Sequence, residues 1–321
     1  MRINFMQFIV MIVSLICLPW GCDAVYDNLS ACPQGVNFHF YRQTPCEQFP
    51  HYPMTIAQVR VFAFDEKGIL ADEFSDPGFS PRADSFLPAV FKKPGKYTFV
   101  AWGAADFSDY DFLDFRKGET SIQDMRVSLH SGDGVVLSAF SPLHVGVASV
   151  DLKRNGEGTV YHQEDFKMQE LTYRLALTVE LKGGMYSPGE EFVVEIGDDN
   201  GVYDFSGEIF PAGRINYFRE AAIDGNGVLR ADFMLMKLKE GRNARLSVMH
   251  KMTGEVIYEA NLVEDIIMYR EEAGPPPYNL ACDHDIPVTL KLHHEKQTWL
   301  LVQATVLGWN VISRPVDLDG F

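Results

Sequence analysis

Tyr173-Arg174-Leu175-Ala176-Leu177-Thr178-Val179-Glu180-Leu181-Lys182 decides the fold. Tyr173, Leu175, Leu177, Val179 and Leu181 point one way, and Arg174, Thr178, Glu180 and Lys182 point the other, which predicts a strand with one buried and one wet face. Gly183-Gly184 ends it, and Phe192, Val194 and Ile196 begin the next. Further strands are predicted at 227–239, 245–250, 255–259, 286–293, 299–306 and 310–316. Upstream, Val36, Phe38 and Phe40 alternate with polar neighbours, and Val59, Val61 and Ala63 alternate with Arg60, Phe62 and Phe64. The second run ends in Asp65-Glu66-Lys67-Gly68, which is hairpin chemistry. Another strand is expected over 97–102, with weaker ones at 125–129, 135–140 and 145–150. Residues 75–82 and 104–117, rich in Asp, Ser, Pro, Gly and Phe, read as surface loops. A single helix is expected after Asn261, which can cap it, with Glu264 and Asp265 in its first turn and Gly274 with three prolines as its stop. Long helices never alternate with strands, which excludes a parallel βαβ layout. The chain reads as all-β, two antiparallel β-sandwich domains in series. No internal repeat or low-complexity linker separates them, so the two are expected to pack closely. Residues 22–160 form the first domain, with Asn155-Gly156-Glu157-Gly158 at its edge, and 161–321 form the second.

The 321 residues suit two such domains, each large enough for its own core. A net charge of -16 excludes nucleic acid as the main partner and electrostatic docking on anionic lipid. Membrane attachment must therefore be covalent or hydrophobic. Arg2 precedes an apolar run from Phe5 to Leu18 of about 14 residues, enough for a signal peptide and short of the roughly 20 that span a bilayer. The run leads to Leu18-Pro19-Trp20-Gly21-Cys22, which resembles the lipobox of bacterial lipoproteins, although Pro19 and Trp20 depart from its usual filling. Residues 1–21 are then a lipoprotein signal, and Cys22 is the acylated first mature residue. Three acyl chains, at about 0.8 kcal/mol per buried methylene, make such attachment lasting. The competing reading leaves Cys22 an ordinary unpaired cysteine. Cys17 leaves with the signal, so Cys32, Cys46 and Cys282 remain and one bridge is available. Proximity in sequence favours Cys32 with Cys46, against the alternative that all three are reduced and buried.

Candidates for chemistry are weak. Cys282-Asp283-His284-Asp285 could offer ligands to a metal, but the spacings do not suit zinc, and a turn leading into a strand is the commoner account of such a cluster. His293 and His294 fall on opposite faces of one strand. Asp198-Asp199-Asn200-Gly201 and Asp224-Gly225-Asn226-Gly227 look like calcium loops but lack the terminal Glu, and hairpin turns explain both. There is no nucleophile elbow, phosphate loop or dinucleotide fingerprint, and nothing nominates a carboxylate pair for glycoside hydrolysis. No catalytic residue, metal or cofactor is expected. Phe107, Tyr110, Phe112 and Phe115 lie among aspartates. They form either a surface for sugar or protein, or a loop whose rings fold back onto the sandwich.

Cys32-Pro33-x-Gly35-Val36-x-Phe38, Val59 to Gly68, Gly95-Lys96-Tyr97 to Trp102-Gly103, and Gly308-Trp309-Asn310-Val311 to Val316-Asp317-Leu318 together resemble the FimB-type fimbrial anchor lipoproteins of the Bacteroides group. The likeness spans nearly the whole mature chain. It implies two transthyretin-like sandwiches at the base of a type V pilus, tied to the outer membrane through lipid on Cys22 and limiting fibre growth. Its partners would be the fimbrial stalk or other pilus subunits, met by completing an open sheet edge with a neighbour's strand. The end of the chain soon after its last strand fits a receiver of such a strand better than a donor. The alternatives from other classes are a surface carbohydrate-binding lipoprotein of a glycan uptake system and a β-sandwich hydrolase.

Overall fold

A strand that is apolar on alternate residues needs a second layer to cover it, and the chain supplies two such pairs of sheets. The computed structural model describes residues 32–153, 158–183, 186–269, 278–295 and 298–313. The expected signal segment and Cys22 lie outside the described residues, as does most of Asn155-Gly156-Glu157-Gly158.

In the first pair, β1 (Gln34–Tyr41) is the middle of a three-stranded sheet between β4 (Leu87–Phe91) and β10 (Tyr161–Lys167). It faces a five-stranded sheet in the order β11 (Gln169–Glu170), β9 (Leu143–Leu152), β5 (Gly95–Ala104), β2 (Gln58–Phe64), β3 (Leu70–Asp76). Val36, Phe38 and Phe40 meet Val59, Val61, Ala63, Phe99 and Phe166 between the two layers. Phe38 sets its edge on Phe99 at 4.9 Å between centroids, and Phe40 stacks on Phe166 at 5.2 Å, both within the favourable range for aromatic pairs.

In the second pair, β12 (Thr172–Lys182) lies between β16 (Val228–Met236) and β19 (Asp285–Glu295), and β20 (Thr298–Val306) and β21 (Trp309–Ser313) continue the sheet. The facing sheet runs β18 (Val256–Asn261), β17 (Arg245–His250), β13 (Glu191–Asp198), β15 (Ile215–Ala222), β8 (Val135–Val136). The five apolar residues predicted to point inward from β12 are all buried. A small sheet of β6 (Tyr110–Phe112), β7 (Val127–Leu129) and β14 (Val202–Tyr203) joins the halves.

The all-β architecture is as expected, but the sheets are mixed and not purely antiparallel. β1 pairs with β10, β12 with β19, and β15 with β8 in parallel. A parallel neighbour requires a long crossover. Between β12 and β19 that crossover holds β13, β15, β17 and β18 of the opposing sheet, so strands and not a long helix make the connection, and no strand–helix alternation marks it in the sequence. Strands β10 and β11 also follow the expected division at residue 160 while pairing with sheets of the N-terminal half.

The halves do pack closely. β2 and β5 are buried on both faces: Phe62, Phe64, Val100 and Trp102 turn away from the first core and join one continuous cluster with Leu175, Leu177, Phe192 and Tyr217 of the second. The predicted helix is a single π-helical stretch, Leu262–Ile267, capped by Asn261, whose Oδ1 accepts from the backbone N–H groups of Val263 and Glu264. Its expected stop at Gly274 lies outside the described residues.

Candidate functional site

Each residue group singled out for chemistry is engaged in structure. Asp224 Oδ1 accepts from the N–H groups of Asn226 and Val228, an Asx-type turn that leads into β16. Asp204-Phe205-Ser206-Gly207 repeats the same pattern, as does Asp65 to Gly68. In the other calcium-like stretch, Asn200 donates to Met236 O and accepts from the Tyr217 hydroxyl, while Asp199 pairs with Arg242. Burial pushes the Asp198 carboxyl up to about 6.

The phenylalanines of the 104–117 segment fold inward, which removes the exposed aromatic surface that a sugar-binding reading requires. Phe115 sets its edge on Phe62 at 5.0 Å, Phe107 on Phe112 at 5.2 Å, and the Arg60 guanidinium lies 4.4 Å from the Phe112 ring centre. Tyr110 is buried and donates to Ser141 O.

The bridge expected between Cys32 and Cys46 is replaced by one between Cys46 and Cys282, with Cα atoms 5.8 Å apart, and Cys32 is free. The physical reason is β1. Cys32 precedes this eight-residue strand and Cys46 follows it. At about 3.3 Å per residue the strand holds its ends roughly 26 Å apart, far beyond the spacing a disulfide spans. Cys282 instead stands three residues ahead of β19. His284, in the same stretch, stacks on Tyr173 at 4.8 Å, and its Nδ1 lies 2.8 Å from Thr172 O.

Beside the bridge is a cleft of about 310 Å³, lined by Arg42, Glu170, Tyr173 and His284 among others. Its floor is the buried Glu170 carboxylate. Oε2 accepts from Arg42 at 3.0 Å, and Oε1 accepts from Arg174 at 2.7 Å and Thr172 at 3.2 Å. Arg174 also forks onto Asp285, with Nε at 2.5 Å and Nη2 at 3.3 Å from its two oxygens. Burial opposes ionisation of Glu170, but the hydrogen bond and charge of the Arg174 guanidinium help to hold its carboxyl below the ordinary value. His144 is fully enclosed, 4.0 Å from Glu170, and burial brings its imidazole down to about 4, so it is neutral at pH 7. With every oxygen of Glu170 engaged, the cluster is suited to holding two segments together and not to proton transfer.

The sheet edges differ in how they resist pairing. β4 carries Pro88, and β10 carries Glu164 and Asp165, both devices that discourage an added strand. β21 carries neither charge nor proline, and no described strand pairs with its outer side. Trp309, at its start, is 70% exposed.

A family described as Fimbrillin-A associated anchor proteins Mfa1 and Mfa2 matches residues 29–314 of this chain. The chain belongs to that family. The minor fimbrium anchoring subunit Mfa2 of Porphyromonas gingivalis is 32% identical over 318 residues, covering 93% of each chain. The solved structure of the fimbrial anchor protein Mfa2 from Porphyromonas gingivalis matches with a TM-score of 0.76 and 29% identity, over 88% of this chain and 100% of that one. A structure from Bacteroides thetaiotaomicron described as a candidate adhesin matches with a TM-score of 0.71 at 18% identity, over 88% of this chain and 98% of that one, and shares the fold. The resemblance to Bacteroides-group fimbrial anchors read from the sequence is thus borne out, and the family is one of anchor proteins, not of enzymes. Of the residues named in advance, Cys22 lies outside the described residues. Arg42, Glu170, His144 and Arg174 gave no signal in the sequence, because the cluster is completed by Arg42, 128 residues from Glu170, and by Asp285, 111 residues from Arg174.

Proposed function

We propose that this protein is a non-enzymatic lipoprotein of the outer membrane, surface-exposed, which holds a fimbria at its base and limits its length. Acyl chains on Cys22 supply the membrane attachment. A pilus subunit joins by adding a strand to the open edge of β21. Membership of the anchor family supports the role, and the observation that carries the mode of attachment is the edge itself: five residues without charge or proline, unpaired on one side, beginning at an exposed Trp309. Such an edge offers main-chain donors and acceptors in a row, and the exposed Trp309 side chain for a partner strand to cover. On the same reading the mature chain divides into an N-terminal sandwich at the membrane end and a C-terminal sandwich at the fibre end, with the change of sheet at Leu171.

Three experiments test the parts separately. Deleting the gene and imaging the cells should give long, shed or absent fibres; normal fibres would remove the anchoring role. Cys22→Ala should leave the folded body intact and move it out of the membrane fraction, and retention there would exclude the lipid anchor. Trp309→Glu should fold normally, since the side chain is exposed, and should recover little fimbrial subunit when the anchor is purified from cells. Undiminished recovery would exclude the β21 edge as the contact. The glycan-binding alternative has lost the aromatic surface that suggested it.

A further inference from the structure

The bridge between Cys46 and Cys282 closes a sequence separation of 236 residues and joins the segment just after β1 to the segment just before β19. A second strap spans the same two segments. Arg42, four residues before Cys46, reaches Glu170; Glu170 reaches Arg174; and Arg174 forks onto Asp285, three residues after Cys282. Asn279 Nδ2 approaches Cys46 Sγ at 3.6 Å and closes the side of the joint. From Asp285 the chain enters β19, which is hydrogen-bonded to β20 and through it to β21. We infer that this paired covalent and ionic strap is a tension shunt, which carries pull between the amino terminus and the β19–β21 end of the molecule past the residues between the two cysteines.

The inference rests on the anchoring role proposed above, because only a protein held at one end and pulled at the other needs such a path. Without the bridge, a pull on the ends of this chain is opposed by hydrogen bonds and packing, which yield one sheet at a time. With it, the covalent path runs from the amino terminus through β1 to Cys46, across to Cys282 and into β19, and the intervening sheets stand off the line of force. β1 itself is held along its length, by seven register pairs with β10 on one side and by β4 on the other. With the bridge in place its backbone carries the tension to Cys46, and the flanking strands keep it extended. The ionic strap acts in parallel. It positions the two segments so that the sulfurs meet; its Glu170 links are buried and little screened by salt, whereas the Arg174–Asp285 link lies at the surface.

Single-molecule stretching of the mature chain, held at its first and last residues, provides the test. The oxidised protein should extend only by its segments outside the bridge. The Cys46→Ser/Cys282→Ser variant should release roughly 80 nm more, the contour length of the bypassed residues. Should the variant fail to fold, the wild-type chain reduced with dithiothreitol after folding gives the same comparison. Equal extension with and without the bridge overturns the shunt. Glu170→Gln, with the bridge reduced, should lower the force at which the junction opens, and an unchanged force removes the ionic strap from the path. On cells, the double serine variant should keep its fibres in still medium and shed several-fold more than wild type under flow; equal shedding overturns the inference, whereas normal fibres in a gene deletion would instead sink the anchoring role.

Discussion

His144 is wholly enclosed, and burial has brought its imidazole from an ordinary value of 6.5 down to about 4. The unfolded chain therefore takes up a proton below about pH 6.5 that the folded protein refuses until about pH 4. Stability from this residue is fully present above pH 6.5 and is lost as the pH falls toward 4, by an amount of order 3 kcal/mol. Glu170, held below its ordinary value, adds a loss of the same sign at lower pH. Asp198 works in the opposite direction: its carboxyl is raised to about 6, so its contribution is complete below about 3.8 and disappears as the pH rises through 6. The whole-protein profile therefore mixes the two signs, and a difference measurement separates them. Between pH 7 and 4.5, wild type should lose roughly 2–3 kcal/mol relative to His144→Leu in urea unfolding. Parallel curves for the two proteins would show that His144 is not buried neutral. Neither His144 nor Glu170 stood out in the sequence, since a histidine inside a strand looks the same whether its neighbour is water or a carboxylate.

The elements were legible wherever one face is apolar and the other wet. β12, β13 and β17 match their expected positions because alternation along a strand is a local property, and turn chemistry is equally local. Gly227 is an example: its φ is +77°, and a Cβ there would stand 2.7 Å from Leu181 O. Gly227→Ala should therefore cost more than about 1 kcal/mol, measured by thermal unfolding, through both strain and the forced opening of the β12–β16 corner. Asp224→Ala, which removes the acceptor of two backbone N–H groups, should also lower the unfolding temperature. Elements without a simple pattern escaped. β10 buries only Phe166 deeply, among polar neighbours, and is a strand because β1 lies beside it. β2 misleads in the other sense. Its alternation is real, but both sets of residues are buried, because a second core covers Phe62 and Phe64.

At the scale of the whole molecule, the bridge between Cys46 and Cys282 removes the closure entropy of a loop with a sequence separation of 236. In the chain-entropy model a loop of this length is worth about 5 kcal/mol, so Cys46→Ser should lower the unfolding free energy by several kcal/mol, and a change below about 1 would show that the unfolded chain is already constrained. The free energy lost should be far larger than that of Cys32→Ser, since Cys32 is unbridged. The sequence by itself determined the strand-built class, the turn positions and the capped helix start, because each depends on residues within a few positions of one another; it also carried the likeness to fimbrial anchors in the order of its motifs. Tertiary structure alone decided which cysteines pair, which sheets contain parallel neighbours, where the phenylalanines of the 104–117 segment lie, and how Arg42, Glu170, Arg174 and Asp285 line up beside the bridge. Those outcomes are distances between segments far apart in the chain, and only the packing of one sheet against another sets them.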